Sequence, residues 1–171
     1  MSESVEESVG VDLNRHVYGA ADAPVTVIEY GDFECPYCGA AAPVLKELID
    51  TSSGRARLVF RHFPLFTVHP FALTAALAAE AAGDLFWDLH WELFEHQSRL
   101  TDADLQRYAT SVGAGAVVGD APQDFRAAVE TDYASGVELG VRGTPTLCID
   151  SRLYTGRVEL RALRAAIGLN R

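Results

Sequence analysis

The motif Cys35-Pro36-Tyr37-Cys38 follows an apolar run at residues 25–30 and opens a segment with helical periodicity at residues 39–49. Two cysteines separated by two residues at a helix start can form and break a disulfide, because one helical turn brings their sulfurs together. The helix start also presents unpaired backbone N–H groups and the positive end of its dipole to the first sulfur. Thiolate is therefore favoured at Cys35, and thiolate is the form that attacks disulfides.

The alternative interpretation of this cysteine pair is half of a zinc site. A structural zinc ion would need a second cysteine pair or two closely spaced histidines as its remaining ligands. The chain has one further cysteine, Cys148, and so no second cysteine pair; its one closely spaced histidine pair, His90 and His96, begins 52 residues after Cys38. The sequence therefore favours a redox pair, and it predicts no bound metal and no other cofactor.

Composition and charge restrict the classes of partner. A chain of 171 residues that is 49% hydrophobic can bury one sizeable core, so we expect a single domain. The formal net charge is −10, and the basic residues are thirteen arginines and one lysine without a basic cluster. We therefore expect neither a nucleic-acid partner nor binding to an anionic membrane surface. No apolar run is long enough to predict a transmembrane helix.

The first residues of the chain, 1–14, are rich in Ser, Glu and Val and predict a flexible acidic tail. They contain neither the basic region nor the apolar region of a signal peptide. If Met1 is the natural start, we expect a cytoplasmic protein. If a signal peptide has been removed, we expect a periplasmic or other extracytoplasmic protein instead.

The predicted elements follow the order strand, helix, strand, a block of helices, two strands and a last helix. The predicted strands lie at residues 25–30, 57–61, 146–149 and 152–155. The predicted helices lie at residues 39–49, 71–82, 85–98, 101–112, 120–139 and 159–167. A strand, helix and strand in succession indicate a parallel strand pair joined by a crossover.

Four motifs stand in an order that resembles the DsbA-like branch of the thioredoxin fold. They are residues 23–38, Arg61-His62-Phe63-Pro64-Leu65, Phe86-Trp87-Asp88-Leu89-His90 and Gly143-Thr144-Pro145-Thr146. The resemblance covers about residues 20–168 and implies an α/β fold, βαβ plus ββα, with an all-helical insertion between the halves. It implies a thioredoxin core at residues 15–67 and 140–171 and an inserted helical subdomain at residues 68–139.

The same resemblance implies a thiol–disulfide oxidoreductase that acts on protein or peptide thiols and disulfides, with glutathione as a further candidate. Cys35, at an exposed helix start, is expected to be the attacking thiolate, and Cys38 the resolving thiol. Asp32 and Glu34 place negative charge near Cys35, which disfavours a second anion, so we expect a mild oxidant. The alternative is a non-catalytic thioredoxin-fold chaperone or a redox-sensing binding module.

The resemblance also implies roles for residues outside the cysteine pair. Pro145 resembles the cis-proline that lies opposite the cysteines in this fold, and Thr144 is expected to flank the sulfurs. Together with Pro36 and Tyr37, Thr144 is expected to contact substrate. Glu29 interrupts an apolar strand where the family places a buried acid, and such a carboxyl could accept the Cys38 proton. The alternative is an edge-strand glutamate that faces water.

The remaining residues with reactive or aromatic side chains have simpler interpretations. Cys148 lies within an apolar strand, which predicts core packing rather than a third redox centre. His62 and His69 flank the segment 63–66 and are expected to be ordinary loop histidines. Phe63, Leu65 and Phe66 could instead contribute to an apolar groove that holds unfolded chains.

Overall fold

A five-stranded mixed sheet lies at the centre of the structure, a computed structural model that describes residues 11–169. Its strands are β1 (Val17–Gly19), β2 (Val25–Gly31), β3 (Ala56–His62), β4 (Thr146–Ile149) and β5 (Arg152–Tyr154). They are ordered β1-β3-β2-β4-β5, with β2 parallel to β3 and the other neighbouring pairs antiparallel. The strand that leads into the cysteine motif, β2, is therefore central.

Within residues 11–169, six α-helices surround the sheet, and four of them lie between β3 and β4 in sequence. They are α1 (Pro36–Asp50), α2 (Ala72–Ala81), α3 (Phe86–Glu95), α4 (Asp102–Ser111), α5 (Arg126–Glu138) and α6 (Leu160–Ala166). Two short 3-10 turns, Gly83–Leu85 and Ala121–Phe125, precede α3 and α5. This succession confirms the predicted α/β fold with a helical insertion. In the described part of the chain, no helix is both long enough and apolar enough to cross a membrane.

The structure differs from the sequence-based prediction at three places near the start of the chain. Strand β1 was not predicted, because a three-residue strand gives no periodic signal; its position is set by pairing with β3. Helix α1 begins at Pro36 rather than residue 39, since a missing N–H costs nothing in the first turn. Residues 1–10 of the predicted tail lie outside the described residues. Val11 and Leu13 pack against the sheet, so that part is not a free tail.

The two faces of the sheet separate the candidate residues. Because side chains alternate along a strand, Val27 and Glu29 of β2 point to one face and Ile28 and Tyr30 to the other. The first face packs against α1 and α6, and the second packs against α5. We call them the α1 face and the α5 face. Full burial of each large apolar side chain in these layers contributes about 1.5–3 kcal/mol to the stability of the fold. This burial holds α1, which begins within the cysteine motif, against the sheet.

Candidate active site

Cys35 caps the N-terminus of α1 and lies under the loop that precedes β4. Its backbone N–H donates to the Asp32 carbonyl (3.1 Å), and Cys35 Sγ lies 3.4 Å from the Thr144 carbonyl, to which it donates when it carries a proton. The side chain is only 3% exposed, so the expectation of an exposed cysteine is wrong. The cover comes from Thr144 and Pro145, which are distant in sequence.

The loop that covers Cys35 contains a cis peptide bond between Thr144 and Pro145, as expected. The Thr144 hydroxyl is buried and makes no hydrogen bond within residues 11–169, so it is available to a sulfur anion below it. A groove of about 320 Å³ runs along this loop. It is lined by Tyr37, Ala40, Ala41, Thr144, Pro145 and Val158. Tyr37 is 75% exposed at its rim, where a bound chain would contact it.

The two thiols of the motif have opposite acidities. The Cys38 thiol lowers the pKa of Cys35, burial opposes this, and Thr144 and the N–H groups of Cys38 and Tyr37 lower it further, to about 5. Burial raises the pKa of Cys38 far above its ordinary value, and Cys35 and the Glu29 charge add to the rise. At neutral pH the first sulfur is therefore a thiolate and the second a thiol, both in the reduced form described here.

Glu29 lies on the α1 face of the central strand and is completely buried. Neither of its carboxyl oxygens has a hydrogen-bond partner in the part of the chain that the structure describes. Burial, and then the charge on Cys35, raise the pKa of Glu29 to about 8. The alternative of an edge-strand glutamate in water is therefore excluded, because β2 has a neighbouring strand on each side.

The two acids that precede Cys35 are engaged by the loop between β3 and α2. Asp32 accepts hydrogen bonds from the Glu34 N–H (2.8 Å), the Leu65 N–H (2.9 Å) and His69 Nδ1 (2.7 Å). Glu34 accepts from the Phe71 N–H (2.7 Å). These donors offset the negative charge that was expected to oppose ionisation of the first thiol.

His69 lies in a loop, as expected, but it has a specific partner that was not predicted. Its ring pairs with Asp32 directly before the cysteine motif. Burial lowers the pKa of His69, but the hydrogen bond and charge of Asp32, with Cys35 and Glu34, outweigh it and leave the pKa raised. No local pattern in the sequence indicates this pair, because 37 residues separate its members.

Gln97 is a further contact of the motif that the sequence analysis missed. It lies just after α3, and its Nε2 donates to the carbonyls of Phe33 (2.8 Å) and Cys35 (2.7 Å). A single glutamine after a helix carries no recognisable pattern. The one available signal is Gly39, an otherwise unfavourable residue inside α1 that leaves room for this amide.

A second group of buried polar residues lies beside β3; we call it the Glu80 cluster, and it comprises Arg15, His16, His62, Glu80 and Asp132. Oε1 of Glu80 contacts Arg15 Nη1 (2.6 Å), His16 Nε2 (2.6 Å) and His62 Nε2 (2.8 Å). His62 is the last, buried residue of β3, so its assignment as a loop histidine is wrong. The two histidines and Glu80 could hold a metal ion, but the Arg15 guanidinium already supplies a positive charge to the same oxygen.

Cys148 and the aromatic residues after β3 complete the candidates. Cys148 is buried on the α5 face, paired in register with Ile28, which confirms the core interpretation. The sheet therefore separates it from the motif on the α1 face. Phe63 is buried and stacks on Tyr133 (4.5 Å between ring centroids), so it does not line an open groove. Phe66 is exposed.

Comparison with protein families gives one match and a set of relatives. The family model Thioredoxin_4, described as thioredoxin, matches residues 12–168. The chain is 45% identical over 95% of its length to the Na(+)/H(+) antiporter NhaA 1 of Salinispora arenicola. It is 37% identical over 96% of its length to the antiporter NhaA 1 of Mycolicibacterium gilvum. It spans only 26% and 30% of those two proteins.

Solved structures resemble the chain over nearly its whole length. A thioredoxin-like oxidoreductase from Silicibacter pomeroyi is 29% identical, with a TM-score of 0.81 over 95% of each chain. BdbD from Bacillus subtilis is 25% identical, with a TM-score of 0.71 over 90% of this chain and 91% of that one. The thiol-disulfide exchange protein alpha-DsbA2 from Wolbachia pipientis shares the fold, with a TM-score of 0.83 at 23% identity, over 95% and 90% of the two chains.

Proposed function

The chain belongs to the DsbA-like branch of the thioredoxin family, a family of thiol–disulfide oxidoreductases, and we propose that it exchanges disulfides with protein or peptide substrates through Cys35 and Cys38. One observation carries this proposal. Two thiols one helical turn apart have pKa values shifted in opposite directions. Cys35 is therefore the thiolate that can attack a disulfide, and Cys38 stays protonated until the second step. Glutathione is a further candidate substrate.

In the first step the Cys35 thiolate attacks one sulfur of a substrate disulfide. A bond forms between Cys35 Sγ and that sulfur, the substrate S–S bond breaks, and the other substrate sulfur leaves as a thiolate. The groove beside Pro145 would hold the substrate chain, with Pro36, Tyr37 and Thr144 in contact with it. The Thr144 hydroxyl, which has no other partner, would donate to the sulfur that carries negative charge.

In the second step Cys38 attacks Cys35 Sγ, the mixed disulfide breaks, and the remaining substrate sulfur leaves as a thiolate. The Cys38 proton passes to Glu29. The charge on Cys35 contributes to the raised pKa of Glu29, and this charge disappears when Cys35 enters the mixed disulfide. The pKa of Glu29 therefore falls at the stage when a carboxylate is needed as proton acceptor.

The direction of exchange depends on the compartment; if the chain is cytoplasmic, we propose that it rests as a dithiol and works as a reductase or as a catalyst of reversible exchange. We place the reduction potential of the cysteine pair at roughly −230 to −120 mV, above the cytosolic poise of about −220 to −320 mV over most of that range. In the cytoplasm the dithiol would dominate, whereas in an oxidising compartment the same pair would make disulfides. Trapping thiols with an alkylating agent in living cells tests this; a predominantly oxidised pair in the cytoplasm would contradict the reductase.

Reduction of insulin with dithiothreitol as electron source tests the exchange activity. Cys35→Ser should abolish turnover, because no attacking thiolate remains, and Cys38→Ser should accumulate mixed disulfides. Cys148→Ala serves as the matched control and should retain turnover, since this residue lies on the opposite face of the sheet. Full turnover by Cys35→Ser would refute the assignment of the nucleophile.

A second candidate function is a redox-sensing binding module, or a chaperone, whose cysteines adjust its affinity for a partner. The observation that favours it is the similarity to Na(+)/H(+) antiporters, of which this chain spans about a quarter to a third. The exposed Phe66, Val68 and Phe71 would supply apolar contact with such a partner. Partner binding that survives replacement of both motif cysteines by serine would favour the module over the enzyme.

A further inference from the structure

Gln97 contacts the backbone on both sides of the position where α1 begins. Its Nε2 lies 2.8 Å from the Phe33 carbonyl and 2.7 Å from the Cys35 carbonyl. A primary amide nitrogen carries two hydrogens, so one group satisfies both acceptors. Because both partners are acceptors, the nitrogen of the amide, rather than its oxygen, must face them.

Gly39 leaves the space that the Gln97 amide needs for this contact. A glycine inside a helix costs roughly 0.5–1 kcal/mol relative to alanine. In α1, however, a Cβ on Gly39 would overlap the Gln97 side-chain amide, and its first close contact would be Oε1. The helix therefore carries an unfavourable residue at the one position where a methyl group would displace Gln97.

The carbonyls that Gln97 engages belong to the turn that aims donors at the first sulfur. The Cys35 N–H donates to the Asp32 carbonyl (3.1 Å), and the Cys35 carbonyl accepts from the Gly39 N–H (3.0 Å). The N–H groups of Tyr37 and Cys38 then face the Cys35 sulfur. A rotation of the peptide unit at Cys35 would move these donors away from the sulfur.

We propose that Gln97 is a positioning residue for the disulfide exchange proposed above: its amide holds the carbonyls of Phe33 and Cys35 so that the start of α1 keeps its N–H donors on the Cys35 sulfur. It touches neither substrate nor sulfur and acts only through the backbone. The helical insertion thereby takes part in the chemistry of the cysteine motif, because Gln97 follows α3.

The first test measures the acidity of Cys35 in Gln97→Ala by the ultraviolet absorbance of the thiolate. The pKa of Cys35, about 5 in the parent protein, should rise by about one unit. At pH values below about 5 the fraction of Cys35 present as thiolate should then be about tenfold lower. Gln123→Ala is the matched control, because Gln123 is exposed and its side chain bonds to its sequence neighbours Gly119 and Arg126. Its Cys35 should titrate as in the parent.

Gly39→Ala provides a second route to the same change with the glutamine still present. The new methyl group should displace the Gln97 amide and raise the pKa of Cys35 by a similar amount. The double variant Gly39→Ala/Gln97→Ala should then shift the pKa no further than either single variant, since both remove the same contact. Additive shifts would mean that the two residues act independently.

An unchanged Cys35 pKa in a folded Gln97→Ala protein would overturn the proposal, even if its free energy of unfolding fell, because that result indicates a purely structural contact. If Gln97→Ala fails to fold, the outcome with Gly39→Ala decides. Titration of the thiolate does not require turnover. Absence of insulin reduction by the parent protein would therefore count against the proposed function and leave the Gln97 measurement valid.

Discussion

Glu29 and Glu80 are both buried glutamates, and they differ in their partners. Glu29 is completely buried and has no hydrogen-bond partner, and burial raises its pKa to about 8. Glu80 is 6% exposed, and Arg15, His16 and His62 all contact one of its oxygens. Burial acts to raise the pKa of Glu80 as well, but the histidine hydrogen bonds and charges lower it well below its usual range.

The comparison teaches that burial alone does not make a carboxyl group useful in proton transfer. Glu80 is a permanent anion that ties the segment before β1 to α2, a structural task. Glu29 lacks donors and can change protonation when the charge on Cys35 changes. The difference lies in the donors that surround each group, which explains why one residue type serves both roles in one molecule.

The largest expected effect comes from removing the structural acid. Glu80→Ala should lower the free energy of unfolding by about 3–5 kcal/mol, because it leaves buried cationic and histidine groups without their partner. Urea unfolding followed by circular dichroism measures this, and Glu47→Ala, at an exposed glutamate of α1, is the control. A loss no greater than that of the control would show that the cluster contributes little.

A change at the unpartnered acid should affect rate more than folding. Glu29→Gln keeps the side-chain volume but removes the proton acceptor, so release of the mixed disulfide should slow by about 10²-fold. Quenching the reaction at successive times and counting mixed disulfides measures this step. A release rate equal to that of the parent would remove Glu29 from the proposed mechanism.

The pH dependence of the free energy of unfolding should report the raised pKa of Glu29. The folded-state pKa of Glu29 is raised, so the folded form holds a proton that the unfolded form has lost, and stability should fall as pH rises from about 4.5 towards 8. The slope is at most about 1.4 kcal/mol per pH unit. The disulfide form is the one to measure, because the depressed pKa of Cys35 acts in the opposite direction. In the disulfide form the pKa of Glu29 lies below 8, because the Cys35 thiolate is absent, so the fall in stability should end at a lower pH. Glu29→Gln should remove this dependence of stability on pH.

The smallest expected effect is at His69. His69→Gln removes the cation beside Asp32, so the negative charge near the motif is less compensated and the pKa of Cys35 should rise by about half a unit. His96→Gln, at an exposed histidine after α3, is the control. A rise larger than that of Gln97→Ala would make charge, rather than backbone position, the main influence on the first thiol.

Features that depend on neighbours in sequence were predictable. The capping box at the start of α4, in which Thr101 and Asp104 bond reciprocally, needs only two residues three positions apart in the sequence. The resemblance correctly indicated a buried Glu29 and a cis bond before Pro145. Each of these features depends on residues that lie close together in the sequence.

Features that depend on distant neighbours were not predictable. The cover over Cys35 comes from Thr144, 109 residues away, so the exposure of the sulfur was predicted wrongly. Gln97 reaches Cys35 across 62 residues, and Arg15 reaches Asp132 across 117. Hydrophobic periodicity reports which side of an element is buried, but it carries no information on which polar group lies opposite.

The two outer strands of the sheet, β1 and β5, have three residues each, whereas β2 and β3 in its interior have seven. A long exposed edge would template the addition of further chains and so promote aggregation. A protein proposed to exchange disulfides with protein or peptide substrates would meet partly unfolded polypeptides. The short edge strands offer such polypeptides few unpaired backbone groups with which to extend the sheet. A bound substrate would therefore exchange its disulfide and dissociate rather than add a strand to the sheet.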